Sequence, residues 1–307
     1  MIGRVWVMTV ALVLGVTVFS SCRPSPTSTP ESGPEANKLQ IVVSILPQKY
    51  FVERIGDRHV TVTAMVPPGA EPHTFEPKPE QLKALSQASA YMRIRIEFEE
   101  AWMNKFTAAN PRMLVVDTTQ GIQRIPISAK FQEQGETAHA GETLDPHIWL
   151  SPKLVKVQAQ TIYQALVKLD APHQAEYQAN LQQFLTDLDQ LDADIRQSLK
   201  GVKNRKFIVF HPGWGYFARD YQLEQVPIEV GGQEPSAAEL AQLISQAKRE
   251  NITVVFAEPQ FSQRAAETIA KEIGGKVLLI DPLAQDWMKN MQKVASTFAN
   301  IMSQRVK

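Results

Sequence analysis

Cysteine is almost absent from this sequence, since Cys22 is the only one among 307 residues. A single thiol cannot form an intramolecular disulfide, so the folded part of the chain depends on core packing for its stability. Net charge is absent too, because 32 Lys and Arg residues balance 32 Asp and Glu residues. A net charge of zero gives no support for binding nucleic acid through a basic surface, and we therefore expect no nucleic-acid partner.

Near the N-terminus, the apolar run 5–19 is shorter than the roughly 20 residues that span a bilayer. One basic residue precedes this run, and two serines and then Cys22 follow it, which is typical of a secretory signal. The position of Cys22 resembles a bacterial lipobox, although Phe19 stands where such boxes usually carry leucine. We expect 1–22 to be a lipoprotein signal peptide with lipidation at Cys22. The alternatives are a plain signal peptide cleaved nearby and an uncleaved anchor.

Residues 23–37 are rich in Pro, Ser and Thr and carry almost nothing apolar. Such a segment cannot bury enough surface to become ordered, so we expect a flexible tether. An anchor followed by a tether places the folded body outside the cytoplasm, in the periplasm or an equivalent compartment, and close to a membrane.

From residue 38 onward, short β-branched runs alternate with segments of helical periodicity. This rhythm predicts an α/β fold with two lobes, each a mostly parallel sheet flanked by helices. A single long helix over 172–201 is predicted to join an N-terminal lobe, 38–171, to a C-terminal lobe, 202–307. The predicted strands are 39–46, 60–66, 90–98, 112–119, 206–210, 226–230, 252–258 and 276–280.

Three of the six histidines occupy positions that suit a ligand site. His73 lies in "EPHTFEPKPE", where three prolines restrict the backbone around one imidazole. His211 directly follows the predicted strand 206–210, and His147 stands just ahead of a predicted helix. Ligands of open α/β sheets bind beyond the carboxyl ends of the strands. We therefore expect these three side chains to converge in the cleft between the lobes.

Two carboxylates compete to complete the set. Asp281 follows the predicted strand 276–280, and Glu258 ends the strand 252–258. Three imidazoles and one carboxylate form a sufficient tetrahedral shell for zinc, and nitrogen ligands favour late transition metals.

Six motifs in order resemble those of one family. They are "GAEPHTFEP", "DPHIWLSP", "FHPGWGYF", "GGQEPSAAEL", "FAEPQFS" and "LLIDPLA". They resemble the ZnuA/TroA-like metal-binding lipoproteins, which are the solute-binding proteins of zinc and manganese ABC importers. The resemblance runs from about residue 39 to the C-terminus. It implies two α/β lobes joined by a long helix, with metal ligands at His73, His147, His211 and Asp281.

The resemblance also implies a function. The protein would bind Zn²⁺ with high affinity and deliver it to an ABC transporter permease in the cytoplasmic membrane, acting as a monomer without enzymatic activity. His211 stands where manganese-preferring relatives usually carry glutamate, which favours Zn²⁺ over the alternative, Mn²⁺. Zinc-importing relatives often carry a long His-rich loop. Here the corresponding stretch has one extra histidine, His139, which we interpret as a solvated residue.

Two other classes of protein stay open at this point. A zinc hydrolase would use the three histidines as ligands and Asp281 or Glu258 as a base, but no HExxH motif is present. An envelope adhesin would not need four convergent ligands. His59 and His173 are interpreted as structural or surface residues.

Overall fold

A computed structural model describes residue 3 and residues 38–127, 144–229 and 233–302. The fold described below lies in one compact unit, Asn37–Lys307. The predictions for the signal peptide with Cys22, for the tether 23–37 and for the stretch around His139 lie outside the described residues and stay predictions.

In the described ranges, eight strands form two four-stranded sheets, and every strand pair in both sheets is parallel. The first sheet has the order β2-β1-β3-β4 and the second the order β6-β5-β7-β8. The predicted α/β architecture of two parallel-sheet lobes is confirmed. The strands are β1 Leu39–Val43, β2 Val60–Ala64, β3 Ala90–Arg93, β4 Leu114–Asp117, β5 Lys206–Val209, β6 Glu224–Pro227, β7 Val254–Ala257 and β8 Lys276–Leu279.

The helices flank these sheets and connect the parallel strands, as crossover connections require. The part of the chain that the structure describes also has three short 3₁₀ helices at their junctions, Asp57–His59, Ile148–Leu150 and Ala171–His173. The α-helices are α1 Leu46–Gly56, α2 Pro79–Ser86, α3 Glu97–Ala109, α4 Pro152–Leu169, α5 Gln174–Leu199, α6 Gly215–Asp220, α7 Ala237–Arg249, α8 Arg264–Ile273 and α9 Trp287–Met302. None of the helices in the described ranges is both long enough and apolar enough to cross a membrane.

The longest of these helices is α5, which runs for 26 residues over Gln174–Leu199. It lies inside the segment predicted as the long helix, although the domain boundaries drawn around it stay predictions. Its buried residues recur at helical spacing, so one apolar stripe runs along its whole length. That stripe packs on α1, α4 and α9. The buried stripe consists of Tyr177, Leu181, Phe184, Leu188, Leu191, Ile195 and Leu199.

An aromatic cluster joins α5 to α1 and α9, the first and last of the described α-helices. Phe51 of α1 lies 6.0 Å from Phe184 of α5 and 5.1 Å from Trp287 of α9, measured between ring centroids. All three rings are fully buried. Aromatic pairs at such distances add to the stabilisation that burial supplies. Helices from the two lobes therefore share one core around α5.

Candidate metal centre

The structure brings three of the four predicted ligands together. His73, His147 and His211 each offer a ring nitrogen within 4.8 Å of the others. The Nε2 atoms of His147 and His211 are 3.1 Å apart. Two nitrogens on a tetrahedral zinc ion, with bonds of about 2.0–2.1 Å, lie roughly 3.3 Å apart. The spacing of this pair is therefore close to the one that zinc requires.

Strand ends position two of the three histidines. His211 comes two residues after β5 and His73 lies in the loop between β2 and α2, so both lie beyond the carboxyl edge of a sheet. His147 immediately precedes the 3₁₀ helix Ile148–Leu150. His73 and His147 come from the first half of the chain and His211 comes from the second, so the site draws on both lobes.

The loop that carries His73 is held by a carboxylate of its own. Glu71 accepts hydrogen bonds from the backbone nitrogens of His73 and Thr74, each at 2.8 Å, and a third from the Thr74 hydroxyl at 2.6 Å. These bonds fix the turn that the flanking prolines already restrict. Glu76, another acid of the same loop, is exposed.

Each of the three imidazoles donates its Nδ1 hydrogen to a carboxylate. His73 pairs with Glu97 at 2.5 Å, and His147 pairs with Asp145 at 2.7 Å. His211 lies 3.1 and 3.2 Å from the two oxygens of Glu229. A proton held on Nδ1 leaves the Nε2 lone pair free, and such partners orient metal-binding histidines and raise their basicity. The three carboxylates also make the surroundings of the site favourable for a cation.

Sequence reasoning missed these three carboxylates. The signal for Asp145 was its position two residues before His147, and its side chain also accepts from the His147 backbone nitrogen at 2.8 Å. Glu229 could be found only from the register of the second sheet, and a single sequence does not reveal that register. Val209 of β5 pairs with Pro227 of β6. His211 and Glu229 each follow this pair by two residues, just beyond the ends of the strands, and are therefore neighbours.

The buried pair Asp145 and His147 holds a neutral imidazole. Burial, together with repulsion from the charges of His211 and His73, puts the pKa of His147 well below its usual value. Burial likewise raises the pKa of Asp145 to about 7. A neutral imidazole is the form that binds a metal, so no proton has to leave His147 before zinc binds.

The more accessible His73 has the opposite tendency. Burial lowers its pKa, but the hydrogen bond and the charge of Glu97 outweigh burial, and the pKa of His73 is raised above its usual value. The pKa of Glu97 is lowered to about 2, because the hydrogen bond and charge of His73 exceed the effect of burial. Glu97 thus stays ionised at neutral pH and favours the protonated form of His73.

Two glycines leave room for these side chains. A Cβ atom at Gly213 would lie 3.1 Å from Cδ2 of His147 and 3.4 Å from Cδ2 of His211. A Cβ atom at Gly215 would lie 2.8 Å from Oδ2 of Asp145. The motif "HPGWG" therefore needs both glycines because the imidazoles and their carboxylate approach the backbone closely.

Aromatic side chains close the site and link its two sides. Phe261 stacks on His211, with ring centroids 5.1 Å apart. Tyr216 donates to the Asp145 carbonyl at 2.8 Å, and Trp149 donates to the Pro282 carbonyl at 2.8 Å. Both bonds join the His147 segment to the C-terminal half of the chain.

The structure does not bring Asp281 into the group of three histidines. Oδ1 of Asp281 accepts from Nε2 of Gln260 and from the Leu283 backbone nitrogen, both at 2.9 Å. The other strand-end acid, Glu258, is fully buried and lies 3.5 Å from the His211 backbone nitrogen. Among the described residues no carboxylate belongs to the group. The assignment of Asp281 as the fourth ligand stays a prediction.

Glu229→Ala is expected to weaken zinc binding by roughly 10- to 100-fold, because the His211 ring loses the carboxylate that orients it. Glu229→Gln keeps an acceptor but no charge, and we expect an intermediate loss. The matched control is Glu224→Ala at the exposed start of β6, where the acid pairs with Lys206 instead. Competition titrations with a chelator of known affinity measure all three variants. Equal affinities for Glu229→Ala and Glu224→Ala would contradict this role.

Comparison with known proteins agrees with the geometry. Residues 41–301 match the family model ZnuA, described as the periplasmic component A of a zinc-uptake complex. The chain is 30% identical to the high-affinity zinc uptake system protein ZnuA of Bacillus subtilis, over 89% of this chain and 86% of that protein. A crystal structure of ZnuA is 50% identical, with a TM-score of 0.81 over 87% of this chain and 100% of that one. A deletion mutant of ZnuA with zinc bound is also 50% identical, with a TM-score of 0.80 over 87% of this chain and 99% of that one. The chain therefore belongs to the ZnuA family of zinc-uptake solute-binding proteins.

Proposed function

We propose that this protein captures Zn²⁺ outside the cytoplasmic membrane and delivers it to the permease of an ABC transporter. The observation that carries the proposal is the convergence of His73, His147 and His211, each with its Nδ1 hydrogen on a carboxylate. Such a site is preorganised, so little conformational entropy is lost when the ion binds.

The donor atoms favour zinc over manganese. Imidazole nitrogens suit zinc and its late transition neighbours, whereas oxygen ligands suit manganese, magnesium and calcium. The names of the B. subtilis relative and of the zinc-bound ZnuA structure support the same ion. Because position 211 carries a histidine rather than an acidic residue, all three converging ligands offer nitrogen and none offers oxygen.

We propose Asp281 as the fourth ligand, joining when the ion arrives. Its Oδ1 now accepts from Gln260 and from the Leu283 backbone nitrogen, and the carboxylate does not lie within 4.8 Å of the three ring nitrogens, so the side chain has to move before it binds the ion. Capture of zinc would then draw the loop after β8 toward the first lobe, while the shared core around α5 limits larger movement. If neither carboxylate oxygen of Asp281 is bonded to the ion in a zinc-bound crystal structure, this assignment is wrong.

The proposal includes an anchored monomer. Lipidation at Cys22, followed by the tether 23–37, would keep the folded body near its permease. A relative in Streptococcus pneumoniae is named a zinc-binding lipoprotein. Mass spectrometry of protein recovered from a membrane fraction tests this point, and an unmodified Cys22 would contradict it.

Metal preference is the test of the function. The metal-free protein is expected to bind one equivalent of Zn²⁺ tightly and to release Mn²⁺ when the two ions compete, with elemental analysis confirming zinc in the product. Preference for Mn²⁺, or the lack of a stable one-to-one zinc complex, would overturn the proposal.

An ester-hydrolysis assay on the zinc-loaded protein distinguishes a transport protein from a hydrolase. Neither proposed base of a hydrolase, Asp281 or Glu258, belongs to the histidine group. We expect no hydrolysis of activated esters above the rate of free zinc. A rate that the zinc-loaded protein raises and that Glu258→Gln abolishes would favour an enzyme.

A further inference from the structure

A second cluster of metal-ligating side chains lies away from the cleft. His59, Asp170 and His173 each offer a ligand atom within 4.8 Å of the others. His59 ends a 3₁₀ helix just before β2, and His173 ends another just before α5. His59 therefore stands at the amino edge of the first sheet, whereas His73 lies beyond its carboxyl edge. The cluster and the cleft occupy opposite ends of the lobe.

The two imidazoles of this cluster are in direct contact. Their ring centroids are 3.8 Å apart and their planes differ by 25°. His173 donates to Oδ2 of Asp170 at 2.7 Å, and His59 donates to Oε2 of Glu176 at 3.1 Å. Tyr177 donates to the same oxygen of Asp170 at 2.6 Å and fixes that carboxylate.

We propose that His59, Asp170 and His173 form a second site for a divalent late transition cation, of which Zn²⁺ is the one this protein meets. Two imidazoles and one carboxylate are a common set of protein ligands for zinc, with water in the remaining position. The three ligand atoms now lie within 4.8 Å of one another. A tetrahedral ion requires them to be roughly 3.3 Å apart, and side-chain rotation can supply this change. A cation can replace the proton between His173 and Asp170, because both atoms bind metals once deprotonated.

The surroundings of the cluster favour this use. The side chain of His173 is 40% exposed and that of His59 is 13% exposed, so an ion and its water reach the cluster from solvent. Arg58 pairs with Glu176 at 2.5 Å, which neutralises that acid and leaves Asp170 as the anionic ligand. Burial would raise the pKa of Asp170, but hydrogen bonds from Tyr177 and His173 lower it overall, and the group is ionised at neutral pH.

An ion at this site would join two junctions of the first lobe. One junction is the turn from α1 into β2, and the other is the connection from α4 into α5. Binding only to the folded state stabilises that state by mass action. The second site therefore ties the start of the long helix to the sheet when zinc is abundant, independently of capture in the cleft.

Stoichiometry and side-chain spectra test the site. Tag-free protein carrying one equivalent of zinc is titrated with further ZnCl₂ while the ¹⁵N imidazole resonances are followed by NMR. Wild type is expected to bind a second equivalent, to shift the resonances of His59 and His173, and to unfold at a higher temperature. Loss of an outer hydrogen-bond partner weakens metal binding by roughly 10- to 100-fold. His59→Ala and His173→Ala each remove a ligand, and each is expected to weaken binding of the second zinc ion by more than that.

Two controls make the outcome decisive. The first zinc equivalent should bind unchanged in both variants, which shows that they are folded and separates this test from that of the proposed function. His139→Ala should keep the second equivalent, because that histidine is the remaining one in the sequence. Loss of the second equivalent in His139→Ala, its persistence in His173→Ala, or saturation of wild type at one equivalent in 1 mM ZnCl₂ would each overturn the proposal.

Discussion

His211→Ala is expected to lower the affinity for Zn²⁺ by roughly 100- to 1,000-fold. Zinc held by four protein ligands is bound with about 10–16 kcal/mol, which averages roughly 2.5–4 kcal/mol for each ligand. His211 supplies the only ring of the three from the second half of the chain, and its Nε2 lies 3.1 Å from that of His147. Its removal leaves two histidines, both from the first half of the chain, and the proposed ligand Asp281. Competition with a fluorescent zinc chelator measures the loss.

The matched pair His73→Ala and Glu76→Ala sharpens this prediction. Both residues lie in the loop between β2 and α2, but Glu76 is exposed and His73 belongs to the histidine group. We expect a loss for His73→Ala similar to that for His211→Ala, and almost none for Glu76→Ala. Comparable losses from both would show that the ligand set is wrong.

Acidification is expected to lower the affinity for zinc, by up to about tenfold for each titrating ligand between pH 6.5 and pH 5.5. Zinc binds only the neutral imidazole, so below the pKa of a ligand each pH unit costs a factor of ten through proton competition. The pKa of His73 is raised above 6.5, which places this competition inside the range. His147 does not add to it, since its pKa is well below 6.5 and its ring is already neutral.

Glu97→Gln tests the origin of this pH dependence. The Glu97 carboxylate accepts from His73 and holds its proton, so loss of that charge lowers the pKa of His73. The variant should bind zinc more weakly at pH 7.5, yet its affinity should begin to fall only at a lower pH than in wild type. An unchanged onset in Glu97→Gln would show that another group competes with the metal.

The architecture and the three histidines followed from local patterns. Strands rich in β-branched residues alternated with amphipathic segments, and strand ends in parallel sheets mark ligand sites wherever they occur. His73, His147 and His211 carried an additional signal, because proline or glycine beside each one restricts or opens the backbone.

What the sequence did not reveal depends on register and packing. Glu229 was predicted to lie inside a strand, whereas β6 ends at Pro227, an edge-strand position that proline tolerates. Helix α6 was missed because the glycines at 213 and 215 argue against a helix, although the close approach of the imidazoles and of Asp145 explains them. The partner of Asp281 is Gln260, and that choice is made by tertiary contacts rather than by the "DP" dipeptide.

The most direct test of the three-histidine centre is a crystal structure of the protein with one equivalent of zinc, with anomalous data collected at the zinc edge. We expect one anomalous peak bonded at about 2.0–2.1 Å to the Nε2 atoms of His73, His147 and His211. A peak elsewhere, or one bonded to only two of these histidines, would contradict the account.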